Sequence, residues 1–558
     1  MPYRRFHLTM FALLALHLFA SAVNAEQQDA EGYYAIGSVE LMEGQIDQAV
    51  DDLNKALALN PRHIEAYYKR GLALTQQGKA QEAVEDFTKA IAMSPTMAKA
   101  YIGRAFARER LGDEAGAIED HTKALELDPS RREVLRFRAY SRSQQGDLNG
   151  ALADYTRALE ADPFDIEAYA RRATARAKSG DLAGAQADAS KVIELDPTRI
   201  DGYLTRGTIA SQQGDRTKAL DDFTKAIELD PANVQAYQNR AAAREQQLDA
   251  PGAIEDYTKW LELDPKAELA YQRRAALYLA QDNLDAAIAD FTRQLEANPH
   301  AAQAYHQRGL ARWRQHDAPG AIADFTAAIE QDATLAQAYH DRSVAYAEQG
   351  QLEPAIADAS KAIELDPQRA EAYMVRGVAR ARQEAFEDAA ADFSKAIELD
   401  PEDGAAYAAC GNARMKLGQL PSAAADYTQA IAHAPDDGSL YVQRGTVRQL
   451  QQNWAGAIED YDAAIAHHVE DAGVYLNRGA AHAQRKAWDA AIADDTKALE
   501  RDPRLAQAYY NRGIARGQRH DERGALEDFQ QAAECDPALQ AAVAPMVQEI
   551  SKRLPKKK

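Results

Sequence analysis

Three histidines near the end of the chain are the first residues to test for metal chemistry. His433 is followed 34 residues later by His467, and His468 is the next residue. Zinc needs its nitrogen ligands about 2 Å from the ion. His433 and His467 hold equivalent positions in two successive helical segments of the sequence. We therefore expect them to be too far apart to bind one ion. We predict no metal site. The chain also lacks a glycine-rich phosphate loop, a His-Glu-x-x-His motif and a nucleophile elbow, and we predict no enzyme and no cofactor.

The elements that carry these side chains follow a sequence period of 34 residues. Residues 200–233 show one period, in which two amphipathic helical patterns flank a turn at Gly214 and Asp215 and a proline ends the second pattern. Gly214 suits a helix C-terminus, and Asp215 is a good N-cap. Fifteen periods, numbered here as repeats 1 to 15, run without insertion from residue 30 to residue 539. A fixed period of this size predicts a solenoid of stacked helical hairpins.

Small residues at two positions of each repeat predict close packing of the two helices. Position eight is glycine, alanine or serine, and position twenty is always alanine, as in Gly207 and Ala219. We expect the two positions to face each other across the hairpin. A larger residue at either one would overpack the contact, at a cost of about 1–3 kcal/mol.

The repeat resembles the tetratricopeptide repeat, a helix-turn-helix unit of 34 residues. In residues 200–233 the resemblance is carried by Tyr203, Gly207, Ala219, Phe223, Ala226 and Pro231. It implies an all-α fold, an α-solenoid whose hairpins form a right-handed superhelix, as a repeat domain over residues 26–539. It also implies protein binding without naming the partner, since such repeats serve many unrelated partners.

An arginine and an aspartate recur at fixed positions and predict a ladder of ion pairs. Position seven is arginine in thirteen repeats, and position twenty-three is aspartate in all fifteen. Ile36 opens the array, where no preceding aspartate exists, so we expect each arginine to pair with the aspartate of the repeat before it, as Arg206 with Asp188. The other exception, Cys410, would then leave Asp392 without its partner. Because the arginine and the aspartate recur at the same positions of nearly every repeat, we interpret the pair as a contact that fixes the alignment of the helices and not as part of a ligand-binding groove.

The resemblance also implies that positions two, five, six, nine, twelve and thirteen of the first helices line a concave groove. Most repeats carry small or polar residues there, but repeats 9 to 11 are richer. An exposed tryptophan beside aliphatic and histidine side chains predicts a peptide-docking patch, with ordinary surface variation as the competing interpretation. The candidate partner-binding residues are His306, Leu310, Trp313, Arg314, His340, Val344, Met374 and Val378.

Two histidines of this patch hold the same position in consecutive repeats. We therefore expect His306 and His340 to lie side by side along the groove. With ordinary pKa values of about 6.5, they would make binding sensitive to pH.

Repeats 1 and 2 offer a second apolar strip, which is either a surface or a face covered by the N-terminal segment. Its residues are Tyr34, Leu41, Met42, Tyr68 and Leu72. Some relatives clamp a C-terminal carboxylate with a lysine at position five, and no repeat of this chain has lysine there. That clamp is not predicted.

The two ends of the chain differ in composition from the repeats. A basic start, an apolar run at residues 11–20 and small residues up to Ala25 are typical of a secretory signal peptide, residues 1–25. A membrane anchor is the alternative, although the run is short for a span of about 20 residues. Residues 540–558 predict a capping helix, interrupted at Pro545, followed by a basic tail.

Charge and cysteine content narrow the class of function. With 65 Lys+Arg against 86 Asp+Glu, the net charge of −21 argues against nucleic-acid binding. Cys410 and Cys535 lie three repeats apart, beyond the roughly 7 Å reach of a disulfide. So few thiols are compatible with export to an oxidising compartment.

Together these features predict an exported scaffold, periplasmic or secreted, that acts at the bacterial cell envelope. Its partners would be proteins or peptides bound in the groove, and it would not be an integral membrane protein. The alternative is a structural component of an envelope assembly, such as an outer-membrane or polysaccharide-export complex, without a discrete peptide site.

Overall fold

The computed structural model describes residues 29–553, and its regular elements in that range are all helices. Two compact units are distinguished, residues 29–270 and residues 271–553. Within each unit the helices pack in consecutive pairs, so the predicted all-α, α-solenoid class is confirmed. The predicted signal peptide, residues 1–25, and the end of the basic tail, residues 554–558, lie outside the described range.

Each repeat supplies two helices of 13 or 14 residues. The first helices are Ala30–Glu43, Ile64–Gln76, Ala98–Arg110, Glu133–Gln145, Ile166–Ser179, Ile200–Gln212, Val234–Gln246, Glu268–Ala280, Ala302–Arg314, Ala336–Glu348, Ala370–Arg382, Gly404–Lys416, Gly438–Leu450, Ala472–Gln484 and Ala506–Gln518. The second helices are Ile46–Leu59, Ala80–Met93, Glu114–Leu127, Leu148–Ala161, Leu182–Leu195, Arg216–Leu229, Ala250–Leu263, Leu284–Ala297, Ala318–Gln331, Leu352–Leu365, Phe386–Leu399, Leu420–His433, Trp454–Ala466, Trp488–Arg501 and Glu522–Cys535. A 3₁₀ turn, Pro537–Leu539, leads into a final helix, Gln540–Arg553.

The turn inside a repeat is stabilised by the two residues that its sequence singles out. In repeat 6 the first helix ends at Gln212, and Gly214 has a φ of 80°, in the left-handed region where glycine meets no Cβ penalty. The Asp215 carboxylate then accepts a hydrogen bond from the backbone N–H of Lys218 at 3.2 Å. Both expectations for this turn are confirmed.

The small residue at position eight makes room mainly for the residue at position twenty-four, which is Phe or Tyr in ten repeats. A Cβ added to Gly207 would lie 2.7 Å from Cε1 of the buried Phe223. In repeat 1, a Cβ on Gly37 would lie 3.0 Å from the carbonyl oxygen of Ala49, the position-twenty residue. The expected contact between positions eight and twenty is therefore present there, and the aromatic ring is the tighter constraint where it occurs.

The arginine–aspartate ladder exists, but its predicted direction is wrong. Arg206 binds Asp222 of its own repeat, with Nε donating to Oδ2 at 2.9 Å and Nη2 to Oδ1 at 2.6 Å. Asp188, its expected partner, is held by Arg172 of its own repeat. Position seven lies next to position eight, which packs on the second helix of the same hairpin, so the two charges meet inside one repeat.

The contact between repeats is made by a third nitrogen of the same arginine. In repeat 4, Nε and Nη2 of Arg138 bind Asp154, while Nη1 donates to Oγ1 of Thr122 in repeat 3 at 3.2 Å. Arg308 repeats this pattern with Thr292 at 3.1 Å. Arg138 and Arg308 thus join their own hairpins to the preceding ones through a hydroxyl group, whereas Nη1 of Arg478 binds a carboxylate of the preceding repeat, that of Asp462.

Cys410 leaves its own repeat, and not the preceding one, short of an arginine. Asp392, which was expected to lose its partner, binds both Arg376 and Arg380. Repeat 12 has no arginine at position seven, and its Asp426 is held by Nη1 of Arg414, at 2.7 and 2.8 Å. Burial raises the pKa of Asp426, and it raises the pKa of the Cys410 thiol to about 11.

The two cysteines are free thiols, as the sequence predicts. Cys410 is fully buried, and Cys535 is half-buried.

The chain after repeat 15 forms one continuous helix, and the predicted interruption at Pro545 is wrong. Pro545 removes one backbone hydrogen bond because it has no N–H, yet the helix Gln540–Arg553 runs through it. Val543 is 2% exposed and packs against Ala525 and Phe529, so this helix covers the end of repeat 15. Within residues 29–553 no helix has the length and apolarity needed to cross a membrane.

Candidate partner-binding groove

Neighbouring first helices form a groove at positions two, five, six, nine, twelve and thirteen, which we call the first-helix groove. In repeats 5 to 7 it contains a cavity of about 270 Å³. The lining residues are Thr174, Ala177, Asp201, Leu204, Thr205, Thr208, Ile209, Gln212 and Gln235. All except Ile209 occupy those six positions, which agrees with the positional assignment made from the sequence.

A larger cavity, of about 510 Å³, lies in the same groove at repeats 2 to 4 and is called here the repeat 2–4 cavity. Its lining residues are Leu72, Thr75, Gln76, Gly103, Phe106, Glu109, Arg110, Glu114 and Tyr140. The wall therefore combines apolar and aromatic side chains with two carboxylates and one guanidinium group.

One wall of the repeat 2–4 cavity is a carboxylate that two buried polar side chains hold in place. Oγ of Ser141 donates to Oε1 of Glu109 at 2.5 Å, and Nε2 of His121 lies 3.2 Å from the same oxygen. His121 and Ser141 are both 0% exposed, and the Glu109 side chain is 13% exposed. The His121 ring also packs against Phe106, with 5.7 Å between ring centroids. The position of this carboxylate is therefore set by the core.

Glu114 is the second carboxylate of the cavity, and one of its oxygens is buried without a hydrogen bond. Its Oε2 has no hydrogen-bond partner among the described residues. Burial, followed by the negative charges of Glu109 and Asp113, raises the pKa of Glu114. The guanidinium in the lining, that of Arg110, donates to the backbone carbonyl of Thr75 at 3.0 Å. Arg110 keeps its positive charge in this hydrogen bond, so the lining carries two carboxylates against one guanidinium group.

In repeats 9 to 11 the predicted docking patch is partly core. His306 is 1% exposed, its Nε2 lies 2.6 Å from Oδ2 of Asp341, and its ring centroid lies 5.7 Å from that of Phe325. The expectation that His306 faces the groove is wrong, because its ring turns toward the aromatic core of its own repeat and its nitrogen is taken by a carboxylate.

Burial also changes the pKa of His340, the second histidine of the patch. His340 is half-buried, and its Nδ1 has no hydrogen-bond partner in the described part of the chain. Burial lowers the pKa of His340; the nearby Asp341 carboxylate opposes this, and Arg369 adds to it. The expected ordinary pKa is therefore wrong, and this histidine stays neutral to lower pH than an exposed one.

Trp313 and Leu310 are half-buried and pack against Phe325 and Ala345, whereas Arg314 is exposed. Trp313 is therefore a packing residue on one side and a groove residue on the other. The sequence predicts an exposed tryptophan, whereas Trp313 is half-buried.

Val344, Met374 and Val378 complete the predicted patch, and all three are half-buried. Met374 and Val378 pack against the core cluster that contains Phe393 and Cys410. The part that these residues and Trp313 play in partner binding stays a prediction.

Some residues of the apolar strip predicted in repeats 1 and 2 pack against other side chains, and others are exposed. The Tyr34 ring lies 4.6 Å from that of His63, and Leu72 lines the repeat 2–4 cavity. Met42 is 61% exposed.

Sequence reasoning missed the fixed carboxylate, although the sequence carries a signal for it. Position twenty-four is Phe or Tyr in ten repeats, but in repeat 3 it is His121. Position ten is an aliphatic residue in every other repeat, but in repeat 4 it is Ser141. Two departures from the repeat in consecutive repeats meet at one groove residue, Glu109.

The stacked hairpins and their groove define a helical-repeat scaffold, and family comparison shows which one. Models of the tetratricopeptide repeat match residues 138–200, 204–268, 273–336, 340–404, 442–506 and 64–97, and a model described as TPR repeat matches residues 37–78. These matches cover more than half of the chain. The protein belongs to the tetratricopeptide repeat family, whose members are typically non-catalytic scaffolds that bind protein partners.

Solved structures of the same class are similar to parts or most of the chain. MamA has 25% identity and a TM-score of 0.28, with 29% of this chain and 94% of that chain covered. A tetratricopeptide repeat protein from Parabacteroides merdae has 22% identity and a TM-score of 0.33, covering 42% and 93%. The Naa15/Naa10 complex bound to HypK has 16% identity and a TM-score of 0.31, covering 94% and 97%. A search of curated proteins found no match.

Proposed function

We propose that this protein is an exported scaffold that binds partner proteins or peptides in its first-helix groove. The observation that carries the proposal is the groove itself, which side chains from successive repeats line at the same positions. The aromatic, small and Arg–Asp positions of the repeat are committed to packing, so the groove positions are those free to vary with the partner. Its two cavities would enclose side chains of an extended chain.

Net charge supports this class of partner. At −21 the protein would repel nucleic acid and other strongly acidic surfaces, and it would attract basic segments of a protein partner.

A pull-down with a matched pair of variants tests the use of the groove. Thr208 lines the cavity in repeats 5 to 7, and Thr217 is exposed on the second helix of repeat 6, outside that cavity. Tagged protein would be incubated with a cell-envelope fraction, as wild type, Thr208→Arg and Thr217→Arg. We expect Thr208→Arg to lose the captured partner and Thr217→Arg to retain it. Equal capture by both variants would contradict groove binding.

Export is tested separately by fusing residues 1–25 to a reporter that folds only outside the cytoplasm. The apolar run at residues 11–20 predicts an active reporter. An inactive reporter would contradict the exported part of the proposal.

The alternative function is a structural role in an envelope assembly without a discrete peptide site. It is favoured by the length of the repeat array, since long arrays present extended surfaces for large partners. The same pull-down separates the two functions. One stoichiometric partner that Thr208→Arg abolishes supports the groove, whereas a large membrane complex indifferent to Thr208→Arg supports the structural role.

A further inference from the structure

We propose that the repeat 2–4 cavity recognises a lysine or arginine side chain of an extended partner peptide. This inference rests on the proposed function and names the chemistry of one contact in the first-helix groove.

The cavity is built by coordinated departures from the repeat. His121 replaces the aromatic ring of position twenty-four, and Ser141 introduces a hydroxyl at position ten. Each is fully buried, and both place their polar atom on Oε1 of Glu109. Packing alone would be served by an aromatic ring and an aliphatic side chain, as in repeat 2, where these positions are Phe87 and Ala73. The two polar residues therefore serve to hold the Glu109 carboxylate at the cavity wall.

The balance of charge around the cavity favours a cationic side chain. Both hydrogen bonds of Glu109 fall on Oε1, and Oε2 of Glu114 is buried without a partner. Arg110 is directed to the Thr75 carbonyl, and Arg171, whose guanidinium lies 4.5 Å from the centroid of the Tyr140 ring, is paired with Glu167 at 2.7 Å. Because the lining has two carboxylates against one guanidinium group, it would attract an incoming ammonium or guanidinium group and repel an anionic side chain.

The apolar part of the wall suits the stem of such a side chain. Lysine and arginine carry a long aliphatic stem, which needs apolar surface when its charged end is bound. Phe106, Leu72 and Tyr140 provide that surface beside the carboxylates. Aromatic rings also attract cations at their faces. A cavity of about 510 Å³ is large enough for one such side chain.

The test measures peptide affinity by fluorescence anisotropy with the full mature chain. The probes are three labelled peptides of the sequence Ala-Leu-Ala-X-Ala-Leu-Ala with blocked ends, in which X is lysine, norleucine or glutamate. Norleucine keeps the stem of lysine and removes its charge. We expect the lysine peptide to bind at least about tenfold more tightly than either of the others, since a hydrogen bond to a charged group is worth about that factor.

Variants assign the preference to this cavity. Glu109→Gln and Glu114→Gln are expected to reduce the preference for lysine over norleucine at least about threefold each. His121→Phe restores the common residue and releases Glu109, so it should also reduce the preference while circular dichroism shows unchanged helix content. Glu119→Gln is the matched control, because Glu119 is exposed on the second helix of the same repeat and does not line the cavity, and it should leave the preference unchanged.

Equal affinity for the lysine and norleucine peptides, or an unchanged preference in Glu109→Gln, would overturn this inference. If partner capture is still lost in Thr208→Arg, the groove function stands and only the basic-residue specificity fails. If Glu119→Gln reduces the preference as much as Glu109→Gln, the recognition is not local to this cavity and the inference fails as well.

Discussion

Arg206 and Asp222 form a two-point ion pair between the two helices of repeat 6, with N–O distances of 2.9 and 2.6 Å. Asp222 is buried, and the hydrogen bonds that Arg206 donates to it raise the pKa of the Arg206 guanidinium. The planar guanidinium matches the carboxylate at two atoms, so the pair fixes both the distance and the rotation between the helices. Related pairs recur along both compact units. They act as a register device inside each hairpin.

Asp222→Ala is expected to destabilise the protein by about 3–5 kcal/mol, because it leaves a partly buried guanidinium without its partner. Asp52→Ala is the matched control, since position seven of its repeat is Ile36 and its partner is the exposed Lys55. The control should have a much smaller effect. Urea unfolding followed by circular dichroism measures both, and equal losses would show that the pair contributes no more than an exposed one.

Asp495 predicts a dependence of stability on pH. It holds position twenty-four of repeat 14, is 1% exposed, and neither carboxylate oxygen has a hydrogen-bond partner among the described residues. Burial, with the charge of Asp494 adding and that of Arg512 opposing, raises the pKa of Asp495 to about 8. Asp528 is a further negative charge that acts in the same direction as Asp494.

The direction of the pH dependence follows from the difference in the pKa of Asp495 between the folded and the unfolded chain. The unfolded chain releases this proton near pH 4, about the ordinary value, while the folded chain keeps it to about pH 8, so the contribution of Asp495 to stability falls as pH rises between these values. In Asp495→Asn that contribution is absent. The melting temperature of wild type minus that of Asp495→Asn should therefore decrease from pH 5 to pH 9. A difference that does not change with pH would contradict the buried, protonated state.

Thiol labelling distinguishes the two cysteines. Cys410 is fully buried and its pKa is raised to about 11, whereas Cys535 is half-buried. Because the thiolate is the reactive species, we expect one fast-reacting thiol per native chain with a disulfide reagent and two after denaturation. Cys535→Ser should abolish the fast reaction and Cys410→Ser should not. Fast labelling of Cys410 in the native protein would show that repeat 12 opens.

Trp313→Ala tests the patch of repeats 9 to 11. Trp313 packs against the Phe325 cluster, so the truncation should cost about 1–2 kcal/mol of stability, part of the loss seen for fully buried tryptophans. If Trp313 also anchors a partner, affinity should fall at least about tenfold. Trp454→Ala is the control, because Trp454 is equally half-buried but begins a second helix. Loss of affinity in both variants, or in neither, would contradict a site at Trp313.

How much the sequence could predict depends on whether a feature repeats. The period, the Gly214–Asp215 turn and the groove positions recur many times, so each is supported by many copies of the same spacing. The direction of the Arg–Asp pairs was misjudged because positions seven and twenty-three lie level both within a repeat and across to the next, and spacing alone does not separate the two. His306 was misplaced for a related reason: a position assignment gives the helix face but not the direction in which a ring turns.

Features that occur once were harder to predict than those that repeat. The Glu109 carboxylate depends on His121 and Ser141, which lie in different repeats and break the pattern rather than follow it. Asp495 is of the same kind, since one acidic residue replaces an aromatic ring. Their consequences come from burial and hydrogen bonding, which a single sequence does not display.

Site-specific photo-crosslinking in cells tests the central claim, that partners bind in the first-helix groove, most directly. A photoreactive phenylalanine would replace Gln76 or Thr208, which line the two groove cavities, and in matched strains Lys89 or Thr217, which are exposed on second helices. The account predicts a crosslinked species of one mass from both groove positions and none from the second-helix positions. Crosslinks from Lys89 and Thr217, with none from Gln76 and Thr208, would contradict it.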